Sequence, residues 1–186
     1  MATGADALSV RGFPQRLGLV VAIAALCLGA GVAEAAVESA QTMTAQNRLE
    51  SRIVSELNTL RRSRGLVPLR LSPALSAAAE GHTRSMATYG FFAHESRDGR
   101  TVMQRVRPYY GRIGGWSVGE NLLWASGSLT SAKALEMWMG SPGHRRNMLT
   151  ATWQDVGVAA VFVPAAPGVY EDLDAVIVTM TFGTRS

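Results

Sequence analysis

Two valine-rich segments near the C-terminus, "DVGVAAVFV" and "DAVIVTMTFG", constrain the fold more than anything else in the chain. They are separated by "PAAPGVYEDL", whose two prolines and glycine cannot continue either segment. β-branched residues suit a pleated surface, so the three pieces together predict a β-hairpin with a long loop. The segments before them read as helices. Helices first and strands last predict an α+β fold, with helices packed on an antiparallel sheet.

The first helix is predicted in "NRLESRIVSELNTLRRSRG", where Leu49, Ile53, Leu57 and Leu60 fall on one face, Asn47 serves as cap and Gly65 as stop. Arg61, Arg62 and Arg64 lie in its last turn, where cations suit the helix dipole, and they read as a solvated helix end. In "LVPLRLSPALSAAAEGHTRSMATYGFF" a short extended link leads to a second helix with Ser72 at the N-cap, Pro73 at the first position and Gly90 at the exit. His82 lies inside that helix and reads as a structural residue. From Ala93 to Tyr110 the pattern is mostly loop, with a short helix through "TVMQRV". "IGGWSVGENLLWASGS" is glycine-rich without a clear period, so no strand is assigned there. "LTSAKALEMWMG" restores helical spacing through Leu135, Trp138 and Met139, which read as core, and ends at Gly140.

The N-terminus carries a different signal. "LGLVVAIAALCLGAGVA" is apolar, follows Arg11 and Arg16, and ends in the small-x-small pattern Ala33-Glu34-Ala35. These features predict a secretory signal over residues 1–35 and a polar spacer over 36–46, followed by one domain over 47–184. The alternative, an uncleaved membrane anchor, needs about 20 consecutive apolar residues. Cys27 follows Leu26, where a lipidation signal wants a small side chain, which argues against a lipoprotein. Removing the signal leaves about 150 residues, enough for a real core, and takes with it the only cysteine. The domain must then be stabilised by packing without disulfides, in an extracellular or periplasmic setting. Because Arg11 and Arg16 balance Asp6 and Glu34, the mature charge stays at +4. So modest an excess, without a basic run, argues against nucleic acid as a partner.

"GWSVG" matches the G-x-S-x-G nucleophile elbow at Ser117. An elbow needs a sharp turn between a buried strand and a helix, in a sheet larger than this chain can build, and no strand is predicted before the serine. No H-E-x-x-H helix is present either. What remains is His94 in "FFAHES", Glu120 in "GENLLWA" and His144 in "SPGHRRN", each a polar residue in an apolar or glycine-rich context. Two imidazoles and a carboxylate suit a divalent metal with an open position, and they suit a buried hydrogen-bonded cluster equally well. Spacing alone does not choose between them.

The segments "HTRSMATYGFFAHESRDGRT", "GENLLWASG" and "WMGSPGHRRNMLTATWQDVGVAAV", closed by "VIVTMTFG", resemble in sequence and order the CAP superfamily of SCP-like secreted proteins. The resemblance covers Asn47 to Gly183 and is nearest to short bacterial members. It implies a three-layer α-β-α sandwich with a central antiparallel sheet. It also implies a cleft lined by His94, Glu120 and His144, with Ser141 and Asn147 beside them. Many members carry a second glutamate just after the tryptophan that matches Trp138; here Ser141 stands about there, and Glu136 should face elsewhere. Members are associated with divalent metals, with sterols or lipids, and with proteolysis. The expectation is therefore a secreted domain binding a divalent cation, zinc first, through His94, His144 and Glu120, with a lipid, cell-wall or protein ligand. A metal-assisted hydrolase using Glu120 as base and a purely structural interaction module are the alternatives.

Overall fold

The computed structural model describes the backbone of residues 18–111 and 114–186, and side chains within them from residue 32 onward. Residues 1–17 of the expected export signal lie outside them. Residues 42–186 form one compact unit, which holds the sheet and every site discussed below. Among the described residues no helix is long and apolar enough to cross a membrane.

In chain order the elements are α1 (Gly18–Ser63), β1 (Arg70–Leu71), α2 (Pro73–Tyr89), α3 (Val102–Tyr110), β2 (Trp116–Ser126), α4 (Ser131–Gly140), α5 (Pro142–Leu149), β3 (Asp155–Ala166) and β4 (Leu173–Arg185). A short 3-10 turn, Gly168–Tyr170, joins the last two strands. The sheet order is β1-β3-β4-β2. The predicted hairpin is the antiparallel β3–β4 pair. The edge strand β2 pairs antiparallel with β4 from Trp116–Arg185 to Ser126–Ala175, while β1 adds two parallel residues to β3.

Alternation along the strands sends side chains to two faces, and both are covered. Ile53 and Leu57 of α1, Leu135 and Trp138 of α4 and Met148 of α5 pack with Leu123, Val156, Val178, Met180 and Phe182. On the opposite face Met86 of α2 packs with Leu122, Val161 and Ile177, and Leu75 and Ala78 meet Val106 and Tyr110 of α3. Helices on both faces of the sheet make the three-layer α-β-α sandwich. Gly157 allows the tightest approach between layers: a Cβ there would strike the backbone of Leu75 and Ser76 at the start of α2.

Several local signals act as expected. Ser72 caps α2 by accepting from the Leu75 amide, and Gly90 ends it at φ 65° in the left-handed region. Three expectations change. Asn47 does not cap a helix, because α1 already runs through the expected spacer. Arg61 is not solvated: it is fully buried, and its Nη1 donates to the carbonyls of Met148 and Thr150 at 2.8 and 3.0 Å, tying α1 to the end of α5. The glycine-rich "GWSVGENLLWAS" is a full strand, β2. A strand covered on both faces loses the period-2 alternation that announces it in sequence, and residues 120–123 are all buried.

Candidate functional site

The site forms around β2 because an edge strand brings the two helical layers together at its rim. Its outward carbonyls need partners, and unpaired edges are a liability. Trp138 of α4 donates Nε1 to the Leu122 carbonyl at 3.0 Å. Asn147 of α5 donates Nδ2 to the Glu120 carbonyl at 3.0 Å and lies 2.9 Å from Asn121 Oδ1. Asn121 in turn donates to the His144 carbonyl at 3.1 Å. These bonds hold α4 and α5, and with them His144, against the strand that carries Glu120.

On the other face the loop after α2 brings His94 over the same strand. His94 Nδ1 lies 3.0 Å from Glu120 Oε1. A carboxylate only accepts, so Nδ1 carries the hydrogen, and in the neutral ring Nε2 keeps its lone pair. The second carboxylate oxygen of Glu120 accepts from Arg105 Nη2 at 2.5 Å. Arg105 Nη1 donates to the His94 carbonyl at 2.9 Å and to Ser96 Oγ at 3.2 Å. One guanidinium therefore anchors the carboxylate and the loop that carries the histidine. The Glu120 and Arg105 side chains are 2 % and 8 % exposed, against 48 % for His94.

The two imidazoles differ electrically. The hydrogen bond to Glu120 raises the His94 pKa above its ordinary value, against the opposing effect of burial. Burial lowers that of His144, and the nearby charge of His94 lowers it further. His144 is therefore held toward the neutral form.

Does this set fit a divalent cation? His94, with Nδ1–H bound to a buried carboxylate and Nε2 without a hydrogen-bond partner, has the arrangement in which metal-bound imidazoles are commonly held. Neutral His144 is also ligand-competent. Glu120 turns one oxygen to His94 and the other to Arg105, which sets it behind His94 with one acceptor site on each oxygen still open. Among the described residues no group of three or more His, Cys, Asp or Glu is placed to hold a metal. The residues that could hold an ion are the imidazoles of His94 and His144, the first of them supported by Glu120.

The other sequence candidates are placed as follows. Ser141 ends α4 and begins α5, and its hydroxyl makes no cap hydrogen bond. Glu136 is exposed and pairs with Lys133 at 2.9 Å, away from the site. Ser117 lies within β2 opposite Thr184, and the strand continues to Ser126 without the turn an elbow requires. His82 is buried, bonds the Ala93 carbonyl through Nε2 at 2.9 Å, and so helps to fix the residue before His94. Sequence reasoning missed Arg105, which among neighbouring arginines carries no local mark. It also missed Asn121, for which the G-E-N triplet was the available signal.

The match to known proteins is consistent with this geometry. Residues 54–182 match the model of the CAP family, described as the cysteine-rich secretory protein family. The uncharacterized protein YkwD of Bacillus subtilis is 30% identical over 112 residues, which are 60% of this chain and 42% of YkwD. The crystal structure of an extracellular protein containing a SCP domain from Bacillus anthracis superposes with TM-score 0.60 at 26% identity, covering 78% of this chain and 43% of that one. An outer surface protein of Borrelia burgdorferi shares the fold, with TM-score 0.54 and 20% identity over 72% of this chain and 90% of its own. The chain thus spans less than half of YkwD and of the Bacillus anthracis protein. Over most of its length, and with the helices-then-hairpin order, the doubly covered sheet and the polar rim of β2 in place, the chain belongs to the CAP family of cysteine-rich secretory proteins.

Proposed function

We propose that this protein is an exported binding domain whose cleft takes a divalent cation, zinc first, on the imidazoles of His94 and His144, together with an envelope or extracellular ligand. The observation that carries the reading is the ordered chain Arg105–Glu120–His94, which spends a buried ion pair on orienting one imidazole. Export is supported by the N-terminal apolar run with its A-x-A site and by relatives described as extracellular or outer-surface proteins. A bound cation would supply a Lewis-acidic point for a carboxylate, phosphate or carbonyl of the ligand. The protein's own part is to fix Nδ1–H of His94 on Glu120 so that Nε2 is the nitrogen a cation would take from the neutral ring, hold His144 toward its neutral form and tie α5 to β2. The hydrolase alternative would ask Glu120 to act as base while it is paired with Arg105 and bonded to His94.

Thermal melting with and without zinc at neutral pH tests this. A ligand that binds only the folded state adds about 2.7 kcal/mol when its free concentration is about 100 times Kd. His94→Ala and His144→Ala should each abolish the rise in Tm. His82→Ala should keep it from a lower starting point. No zinc-dependent shift in the wild type, or equal loss in His82→Ala, would make the cluster structural and leave the module reading.

A further inference from the structure

We propose that a second pocket, between α2, α3 and the loop that joins them, binds a small hydroxyl-bearing oxyanion: a sugar acid or a sugar phosphate. The pocket has a volume of about 670 Å³, within the range of small-molecule sites, and none of His94, Glu120 or His144 lines it. Its wall carries Arg97, Arg100 and Arg105 against the single carboxylate of Asp98.

The three guanidiniums are not equally engaged. Arg105 is committed to Glu120, and Arg100 pairs with Asp98 at 2.7 Å in a half-exposed contact. Arg97 has no carboxylate partner among the described residues and lies 4.4 Å over the ring of Tyr89. Stacking on an aromatic face orients a guanidinium while leaving its edge free for a planar or tetrahedral oxyanion. An incoming carboxylate or phosphate would meet Arg97 first and compete with Asp98 for Arg100.

The pocket's floor gives a second, independent indication. Gly81 stands inside α2, where glycine weakens a helix. A Cβ at that position would meet only the Tyr109 hydroxyl, at 3.9 Å. Internal packing does not require a glycine there, yet its bareness keeps the pocket open. The remaining wall, with Ser85 and the exposed phenols of Tyr89 and Tyr109, is polar and aromatic rather than aliphatic, which suits a sugar ring better than a lipid chain.

The test titrates full-length, metal-free protein with glucuronate, glucose 6-phosphate and glucose, read by calorimetry and by NMR shifts. Both charged sugars should bind at least about tenfold more tightly than glucose, with shifts centred on Ser85, Tyr89 and Arg97. The stronger of the two identifies the carboxylate or the phosphate as the preferred source of the oxyanion. Arg97→Ala with Arg100→Ala, both exposed, should weaken binding about tenfold. Arg62→Ala with Arg64→Ala, which removes the same charge from the end of α1, should not change it. Asp98→Asn should tighten binding by about twofold by removing the competing carboxylate. Gly81→Leu should fill the floor and abolish it. Equal binding of glucose and the charged sugars, no binding of either charged sugar at concentrations about ten times a millimolar Kd, or equal loss in both arginine pairs would overturn the assignment.

Discussion

The two faces of the sheet bury residues from the same strands in different ways. Toward α1, α4 and α5 the strands present Leu123, Val156, Val158, Val178, Met180 and Phe182, an apolar surface closed by Trp138 and Met148. Toward α2 and α3 they present Glu120, Asp155, Thr179 and Thr181 among the apolar residues, all buried. Most of these polar groups are matched one by one. Thr83 donates to Thr179 at 2.7 Å, Tyr110 to Asp155 at 2.6 Å and Arg105 to Glu120. Burying charge costs free energy that only good pairing offsets, so a polar face stabilises less than an apolar one of the same area. On the apolar face the buried polar strand residue is Asn121, bonded to His144 and Asn147 of α5 at the rim of β2; the denser polar set on the α2–α3 face points to a task beyond stability, and both candidate sites draw on it.

That contrast can be broken by substitution, and the apolar face should give the largest effect. Phe182→Ala, at a fully buried position, should cost about 3–5 kcal/mol by urea unfolding and leave zinc-induced stabilisation intact in whatever fraction remains folded. A cost below about 1 kcal/mol would mean that this face is loosely packed.

On the polar face, Arg105→Met should cost about 3 kcal/mol, because it strands a buried carboxylate. The double variant Arg105→Met/Glu120→Leu should recover much of that loss while abolishing the response to zinc. If the double variant is no better than the single one, the ion pair is not what the polar face maintains at the expense of stability.

Gly81→Ala should do the reverse and stabilise the protein by about 0.5–1 kcal/mol, since the added methyl finds ordinary space. Stability gained there without loss of sugar binding would remove the functional reason for the glycine.

The smallest effect is a pH slope in chelated protein. Burial lowers the His82 pKa below 6.5. Its contribution is therefore complete above pH 6.5 and is lost as pH falls through that value toward the folded pKa. The His94 pKa is raised, so its contribution is complete below pH 6.5 and is lost as pH rises through its folded value. The two oppose each other in the wild type. His94→Gln should leave His82 and His144, whose pKa values burial lowers, and make stability fall more steeply on acidification; urea midpoints at several pH values decide it, and an unchanged slope would break the assignment.

Much of this protein was legible in its sequence because the signals were local. Ser72, Pro73 and Gly90 mark both ends of α2 by backbone chemistry that needs no other element. The valines of β3 and β4 announce a hairpin by propensity and turn residues. The motifs around His94, Glu120 and His144 located the region of the site. Tertiary structure decided what local signals could not carry. β2 was hidden because burial on both faces erases alternation. Arg61 and Arg105 look like solvated cations until distant partners appear, the carbonyls of Met148 and Thr150 for one and Glu120 for the other. Whether Glu120 holds an ion or a histidine depends on where its two oxygens point, a matter of ångströms between residues 26 and 15 positions apart in the chain. Residue type and spacing fix which elements form; which charged groups meet is set by the packing of those elements, because pairing energies depend on distance and desolvation that no stretch of sequence contains.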